Sequence, residues 1–293
     1  MAVPLLLASL GETIVEKAGV INVGIEGMML CGAFAGYAVS QLTQNAFIGL
    51  AAAVGAGIFL SLVFSLLALY FKANQVVVGT AVNILALGLT GVLFAALAHS
   101  TISARPVPSF GIVSIPLVSQ LPFIGKCLFS QDLIAYIALL FLPITAFFLD
   151  KTIIGLRLRA CGEYPEAADA AGVNVVRMRM LALIFGGAMA GAAGAHMSIA
   201  YTVSFVQGMT NGNGFIALAV VIVGRWKPLG ALAAALLFGL ANAMQFDLQA
   251  LGTHIPYQLV LALPYLATLL ALTFNNKKFV AAPAMLGAAY ERS

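Results

Sequence analysis

Residues 157–179 read RLRACGEYPEAADAAGVNVVRMR, and this stretch differs sharply from the rest of the 293-residue chain. The whole sequence is 62% hydrophobic and 8% charged, whereas seven of these 23 positions carry a charge. A mean hydropathy of +1.05 excludes a water-soluble domain, in which roughly a quarter of the residues are charged. The sequence therefore predicts an all-α polytopic membrane protein in which 157–179 lies in a loop outside the lipid.

Eight stretches have the length and composition of transmembrane helices, which need about 20 predominantly apolar residues. They are 27–44, 47–71, 76–98, 132–149, 180–203, 206–223, 228–247 and 255–274. Residues 1–11 are also apolar but too short to span, and they are predicted to form a half-helix or an interfacial segment. The expected total is about eight spans, within a range of seven to ten, with broken or re-entrant segments among them.

The positions of lysine and arginine give the orientation, because these residues concentrate in cytoplasmic loops. With eight spans that begin and end in the cytoplasm, twelve of the 14 lysines and arginines fall inside, and only Arg105 and Lys126 fall outside. This distribution accounts for the net charge of +4 without nucleic-acid binding. The prediction is one membrane domain, 1–293, with a cytoplasmic loop at 150–179, an external loop at 99–131, a cytoplasmic tail at 275–293 and both termini in the cytoplasm.

The cytoplasmic loop is predicted to contain a short helix of about two turns. Pro165 suits the first turn of a helix, and Glu163 and Glu166 favour its positive N-terminal end. The run EAADAA is strongly helix-forming, and Gly172 is suited to end the helix. A solvated connector would explain the flanking arginines but not an alanine-rich helix bounded by proline and glycine. The small, flat alanine surface therefore favours docking against another protein.

Two stretches rich in glycine and asparagine interrupt the apolar sequence. The first break is GVINVGIEG, 19–27, and the second break is QGMTNGNGF, 207–215. Irregular backbone at membrane depth occurs only where it is buried in protein or lines a water-filled cavity. We therefore expect both breaks to lie beside a passage through the protein.

Polar residues inside the spans are mostly amides and hydroxyls, such as Thr80 and Asn242. Individually, such residues are usually hydrogen-bonding contacts between helices, and His196 in a small-residue helix is usually a packed side chain. As a set they indicate a passage for a neutral solute that forms hydrogen bonds, because an ion requires carboxylates or a carbonyl filter.

Several chemistries have no motif in this sequence. No GxxxxGK[ST], HExxH or GxSxG occurs, and no cysteine–histidine cluster has ligand spacing, so neither ATP hydrolysis nor another enzymatic reaction, nor a metal or cofactor, is expected of this chain. A stand-alone secondary transporter remains the alternative of another class. It needs a coupling-ion site, and the scarcity of carboxylates in the spans argues against one.

The stretches GETIVEKAGVINVGIEGMMLCGAF, NQVVVGTAVNILALGLT and GNGFIALAVVIVGRWKPLGALAAALLFG resemble the permease subunits of bacterial ATP-binding-cassette (ABC) importers of the simple-sugar and nucleoside class. The resemblance continues in order along nearly the whole chain. It is greatest to nucleoside permeases that work with a lipoprotein of the basic-membrane-protein type. Asn213 departs from that branch, where an arginine is expected in GRGFIALA, and this leaves the substrate open between a nucleoside, a ribose-like sugar and riboflavin.

The resemblance implies that 163–171 is the coupling helix, which docks on a separate ATPase chain with Walker motifs and either one cassette or two fused cassettes. It also implies a second, non-identical permease, an extracytoplasmic substrate-binding lipoprotein that docks at 99–131, and a place in the bacterial cytoplasmic membrane. The residues expected to act in coupling are Arg157, Arg159, Glu163, Pro165, Glu166, Ala168, Asp169, Gly172, Arg177 and Arg179. The residues expected to line the substrate pathway are Asn22, Glu26, Asn74, Gln75, Asn83, Asn213, Phe215 and Gln245.

Overall fold

The structure, a computed structural model, describes residues 1–99, 105–114, 130–250 and 282–290. Its helices are α1 (Ala2–Lys17), α2 (Ile25–Thr43), α3 (Ala46–Ser65), α4 (Gln75–Ala98), α5 (Leu133–Lys151), α6 (Ile153–Glu163), α7 (Pro165–Ala170), α8 (Val175–Ala195), α9 (Asn213–Val223) and α10 (Pro228–Ala250). Helices α3 and α8 continue as π-helical turns, Leu66–Tyr70 and His196–Tyr201. A short strand β1 (Val113–Ser114) pairs antiparallel with β2 (Ser130–Gln131).

Polar residues just ahead of the helices determine where several of them begin. The side chains of Asn45, Asp132 and Asn174 accept hydrogen bonds from first-turn backbone N–H groups of α3, α5 and α8. Each cap satisfies a donor that has no partner within the helix, which stabilises the helix by about 1 kcal/mol. The apolar sequence that follows keeps the helical form, because lipid offers no other partner for backbone groups.

Five helices of the described residues are long and apolar enough to cross a membrane. They are Ala46–Tyr70, Gln75–Ala98, Leu133–Lys151, Val175–Tyr201 and Pro228–Gln245. These match the predicted spans at 47–71, 76–98, 132–149, 180–203 and 228–247. Helix α2 covers most of the predicted span 27–44 but is not among the five. The predicted span at 255–274 lies outside the described residues. Large apolar side chains such as Ile84 and Val92 are more than 70% exposed on α4, as a lipid-facing surface requires.

Two of the sequence-based expectations are corrected by the structure. The predicted span 206–223 is helical only from Asn213, and eleven residues are too few to cross a membrane. The residues before it form turns because Gly208, Asn211 and Gly212 all have positive φ. The segment 1–11 is not interfacial, because it forms most of α1, a 16-residue helix of which thirteen residues are buried.

Small residues let α2, α3 and α8 pack with their backbones in close contact. A Cβ atom on Gly32 of α2 would lie 2.6 Å from the Cα atom of Gly191 on α8. Similarly, a Cβ atom on Gly57 of α3 would overlap the backbone of Gly187 on α8. Such close crossings are a common way for helices to associate in membranes. They place α8 at the centre of the bundle, in contact with α1, α2 and α3.

Helix α8 runs between two ends of the bundle that differ in charge. Arg179 lies near its start and His196 just after its end, and 17 residues of helix correspond to about 25 Å. The Arg179 end, called here the basic end, holds nine of the ten lysines and arginines in the described ranges. They are Lys17, Lys72, Lys151, Arg157, Arg159, Arg177, Arg179, Arg225 and Lys227. The His196 end is called the far end.

Met1 and Ala288 show where residues near the two ends of the chain lie in the bundle. Met1 lies at the far end, where it lines a cavity together with His196. Ala288 lies at the basic end, since its carbonyl oxygen accepts a hydrogen bond from Arg179. Helix α1 separates the two locations, because it leads from Met1 to Lys17 at the basic end. These two residues therefore lie at opposite ends of the bundle, and the membrane side of each terminus stays a prediction.

Candidate functional site

A cavity of about 400 Å³ opens at the far end of the bundle. This volume lies within the range of roughly 300–1,000 Å³ in which small-molecule sites fall. The π-helical continuation of α8, the second break and helices α9 and α10 surround the cavity. Its polar lining residues are His196, Tyr201, Thr202, Ser204, Asn211, Asn213, Asn242 and Gln245.

Four side-chain amides give the cavity its chemical character. The Nδ2 atom of Asn242 lies 3.5 Å from Oδ1 of Asn213, and Gln245 follows Asn242 by three residues on the same face of α10. An amide group offers both donors and an acceptor, so it can pair with either kind of group on a solute. Asp, Glu, Lys and Arg are absent from the lining that the described residues form. The cavity is therefore suited to a neutral solute with hydrogen-bonding groups.

One ionisable pair adjoins the cavity. The Nε2 atom of His196 lies 3.0 Å from Oδ2 of Asp132, which also caps the start of α5. His196 is buried, so this carboxylate takes up one of its two ring nitrogens. The pair connects the end of α8 to the start of α5 and thereby shapes the cavity wall.

Glu26 joins the two breaks to one another. Its Oε1 atom accepts a hydrogen bond of 2.9 Å from the N–H of Gly212, and its Oε2 atom accepts one of 2.7 Å from the N–H of Gly214. These donors lie at the N-terminus of α9, where backbone N–H groups lack helical partners and the helix dipole favours a negative charge. Asn213 stands between the two bonded glycines, so Glu26 fixes the position of a residue that lines the cavity.

Other amides hold the backbone of the first break. The Oδ1 atom of Asn83 accepts a bond of 2.8 Å from the N–H of Gly27, while its Nδ2 donates one of 2.9 Å to the carbonyl of Val23. Gln75 accepts a bond of 2.8 Å from the N–H of Ile21. These contacts satisfy backbone groups that have no helical partner inside the bundle.

The structure thus separates the eight predicted pathway residues into groups. Asn213 and Gln245 line the cavity. Glu26, Gln75 and Asn83 bond to the breaks, and the buried Asn22 donates its backbone N–H to Glu12 at 3.1 Å. Asn74 is exposed and caps α4 at the basic end. Phe215 lies on α9, half-exposed and outside the cavity lining.

Sequence reasoning did not select Asn211 or His196 for the pathway, and it named Asn242 only within the general set of polar span residues, although each lines the cavity. The three-residue spacing of Asn242 and Gln245 was the available signal, since it places two amides on one face of an apolar helix. His196 gave no comparable signal, because its partner Asp132 lies 64 residues away in the chain.

At the basic end, α6 and α7 are joined by Tyr164 and connect α5 to α8; together they are called here the hairpin. The predicted helix at 163–171 is α7, which has Pro165 in its first turn and is followed by Gly172 at a φ of +82°. Helix α6 was not predicted, because 153–163 mixes apolar and charged residues without strong end signals. Ala168 is buried against Cys161 and Val175. The exposed face of the hairpin carries Tyr164, Glu166, Ala167, Ala170 and Ala171.

The four arginines of this region differ in their surroundings. Arg157 and Arg177 are exposed, and Arg159 is partly buried. Arg179 is only 1% exposed and donates to the backbone carbonyls of Ala18, Cys161 and Ala288. The Arg179 guanidinium is therefore occupied within the chain, and its part in coupling stays a prediction.

Interrupted helices around a neutral polar cavity, with a charged hairpin at one end, are features of a membrane transport protein. The chain belongs to the family described as branched-chain amino acid transport system / permease component, which matches residues 1–272. This match confirms the resemblance to permease subunits. It also makes the chain a transport component and a multi-pass membrane protein.

Three relatives illustrate the range of similar proteins. The guanosine ABC transporter permease protein NupQ of Bacillus subtilis is 38% identical over 93% of this chain and 88% of its own length. The nucleoside ABC transporter permease protein NupC of Lactococcus lactis is 33% identical over 95% of this chain and 90% of its own length. The putative glucose ABC transporter permease protein TsgC13 of Haloferax volcanii is 43% identical over 86% of this chain and 76% of its own length. No solved structure matches the chain.

Proposed function

We propose that this chain is the permease subunit of an ATP-driven ABC importer and that its far-end cavity belongs to the pathway of a nucleoside. The observation that carries the proposal is the cluster of amides in a cavity whose described lining has no Asp, Glu, Lys or Arg side chain. The edges of nucleobases present donors and acceptors side by side, which amides can match in pairs. Tyr201, 54% exposed, adds an aromatic surface against which a base can stack.

A sugar is the second candidate substrate. The relative named as a glucose permease has the highest of the three identities, 43%. The match covers 76% of its length, against 88% and 90% for the guanosine and nucleoside relatives. Sugar hydroxyls also pair with amides, so the cavity chemistry admits them. Riboflavin, a larger neutral solute with donor and acceptor edges, is the third possibility to be tested.

We place the chain in the cytoplasmic membrane with its basic end toward the cytoplasm. The excess of lysine and arginine at that end follows the usual bias of cytoplasmic loops. In this orientation the cavity is nearer the outer side, where an extracytoplasmic binding lipoprotein would deliver the solute to the 99–131 region.

Energy for transport would come from a separate ATPase chain that docks on the hairpin. The exposed alanines of α7 and the exposed ring of Tyr164 form the contact surface, with Arg157, Arg177 and Glu166 around it. Aromatic side chains and arginines are frequent anchors of protein interfaces. A second, related permease would complete the membrane part of the complex.

The test is to purify the tagged chain with its partners and reconstitute the complex in proteoliposomes. Uptake of radiolabelled guanosine, glucose and riboflavin is then measured separately, each with and without ATP. The proposal expects a Walker-motif chain in the complex and ATP-dependent uptake of guanosine. Uptake of glucose alone would replace the nucleoside by the second candidate. A chain that purifies alone and transports without ATP would contradict the importer assignment.

A further inference from the structure

We propose that residues 18–26, called here the link segment, mechanically connect the α6–α7 hairpin to the solute cavity. The inference rests on the proposed function, since it takes the hairpin as the ATPase docking element and the cavity as the pathway. The link segment touches the hairpin at one end and the loop that carries Asn213 at the other. It passes through the interior of the bundle between these two contacts.

Arg179 makes the attachment at the basic end. Its Nε atom donates to the carbonyl of Ala18 at 3.1 Å, and its terminal nitrogens donate to the carbonyls of Cys161 at 3.4 Å and Ala288 at 2.8 Å. One buried guanidinium thereby holds the link segment, α6 and the C-terminal segment 282–290 together. The planar group has five donors in a fixed geometry, so moving one of the three carbonyls strains its bonds to the other two.

Backbone packing reinforces this attachment. A Cβ atom on Gly162 of α6 would overlap the carbonyl oxygen of Lys17 and lie 3.0 Å from the nitrogen of Gly19. The C-terminal segment forms hydrogen bonds on both sides of this contact. The N–H of Met285 donates to the carbonyl of Gly162 at 3.0 Å, and the N–H of Gly287 donates to the carbonyl of Gly19 at 3.1 Å. Since no flexible side chain separates α6 from the link segment, a displacement of the hairpin is passed on directly.

Glu26 makes the attachment at the cavity. Its two carboxylate oxygens accept hydrogen bonds from the backbone N–H groups of Gly212 and Gly214, at 2.9 and 2.7 Å. A Cβ atom on Gly214 would lie 2.6 Å from Cα of Glu26, so the two backbones are also in contact. Asn213 lies between the bonded glycines and lines the cavity. A shift of Glu26 therefore repositions a solute-facing amide.

Between its ends the link segment is held along much of its length. Ile21 bonds to Gln75, Asn22 bonds to Glu12, and Val23 bonds to Asn83. A segment with so many fixed backbone groups transmits a displacement instead of absorbing it in loop motion. Two attachments in series also make a specific prediction. Breaking either one should uncouple the hairpin from the cavity, and breaking both should do little more.

The experiment uses the complete reconstituted transporter and measures ATP hydrolysed and solute imported in the same sample. Arg179→Gln weakens the first attachment, and Glu26→Gln removes one of the two acceptors at the second. Each variant is expected to lower the solute imported per ATP by about tenfold, as loss of a charge-assisted hydrogen bond implies, while basal ATP hydrolysis continues. In the double variant we expect a loss close to that of the worse single variant. A multiplied loss of about a hundredfold would show independent effects and overturn the proposal.

Two glycine variants decide the question if Arg179→Gln does not assemble. Gly162→Ala and Gly214→Ala each insert one methyl group into an attachment, whereas Gly88→Ala on α4 adds a methyl group where no atom lies within 4 Å. We expect the first two to lower the import-to-hydrolysis ratio and the third to leave it unchanged. Normal ratios in both attachment variants would refute the inference while leaving the proposed function intact. A wild-type complex that imports none of the three solutes with ATP would instead contradict the proposed function.

Discussion

At the scale of single residues, chemically similar side chains have different tasks because of the backbone around them. Asn74 and Asn213 both lie at the start of a helix, but Asn74 caps α4 in an exposed position while Asn213 faces the cavity. Glu26 is the only acidic residue of the first turn of α2, and its carboxylate accepts a hydrogen bond at the start of a second helix, α9. Residue type and helix position alone do not distinguish these tasks.

Replacing Asn213 by alanine is expected to weaken solute recognition. Asn213→Ala removes one hydrogen-bonding amide from the cavity, so the half-saturation concentration for guanosine uptake should rise by about tenfold. The matched control is Asn45→Ala, which removes the cap of α3 and should lower stability by about 1 kcal/mol without changing half-saturation. Equal half-saturation in wild type and Asn213→Ala would show that this amide does not contact the solute.

Burial is expected to make Cys161 unreactive in the folded protein. Cys161 is fully buried in α6, outside the predicted spans, and this burial raises the pKa of its thiol despite the nearby Arg179. A raised pKa lowers the reactive thiolate fraction at neutral pH, and this fraction grows only as the pH rises toward that pKa. In a Cys127→Ser background, maleimide at pH 7 should label Cys161 only after unfolding. Rapid labelling of the native protein would contradict the packing described for α6.

At the scale of elements, sequence reasoning predicted one helix of the hairpin, α7, and did not predict the other, α6. The proline, the alanine run and the glycine predicted α7, because these residues act locally on backbone conformation. The contact of α6 with the link segment depends on Gly162 and Gly19, which are 143 residues apart, and no local pattern records it. The same holds for Glu26 and Gly214, 188 residues apart.

Proline at Ala168 is expected to stop transport through the loss of α7. The N–H of Ala168 donates to the carbonyl of Tyr164 at 3.0 Å, and proline would remove this bond and clash with the preceding turn. Uptake and the coupling of ATP hydrolysis to the solute should be lost, while the amount of protein in the membrane is unchanged. The control Ala168→Ser changes the same position but keeps its backbone N–H. Normal uptake by Ala168→Pro would show that α7 is not needed for coupling.

The exposed face of α7 is expected to be covered in the complete complex. Ala167→Cys in the Cys127→Ser background should react with maleimide when the permease is alone, since Ala167 is exposed. Adding the ATPase chain should slow the labelling by at least about tenfold, because docking excludes the reagent from a desolvated contact. An unchanged rate in a complex that contains the ATPase would place the docking surface elsewhere.

At the scale of the whole molecule, hydropathy predicted the long helices and charge predicted which end of the bundle is basic, because the membrane constrains both helix length and the position of charges. Helix length follows from the thickness of the hydrocarbon core, and five predicted spans agree with the long apolar helices. The gathering of nine cations at the basic end agrees with the predicted inside set over the described ranges. The cavity was less accessible to prediction, because it is formed by elements that meet only after folding.

The orientation can be checked with a pair of cysteine variants in intact cells. Both variants are made in the Cys127→Ser background, because Cys127 belongs to the predicted external loop 99–131. Gln44 lies at the far end, and Ala167 lies at the basic end. A maleimide that does not cross membranes should label Gln44→Cys in intact cells and Ala167→Cys only after permeabilisation. The reverse pattern would invert the orientation and place the hairpin outside the cell.

The measurement that tests the central claim most directly is photo-crosslinking of a nucleoside during transport. The reconstituted complex is supplied with 8-azidoguanosine and ATP, illuminated, digested and mapped by mass spectrometry. The account predicts crosslinks at 1–4, 196–216 or 242–245 that excess guanosine suppresses, because these ranges contain the residues that line the cavity. Crosslinks confined to other parts of the chain during ATP-dependent uptake would contradict the assignment of the cavity as the pathway.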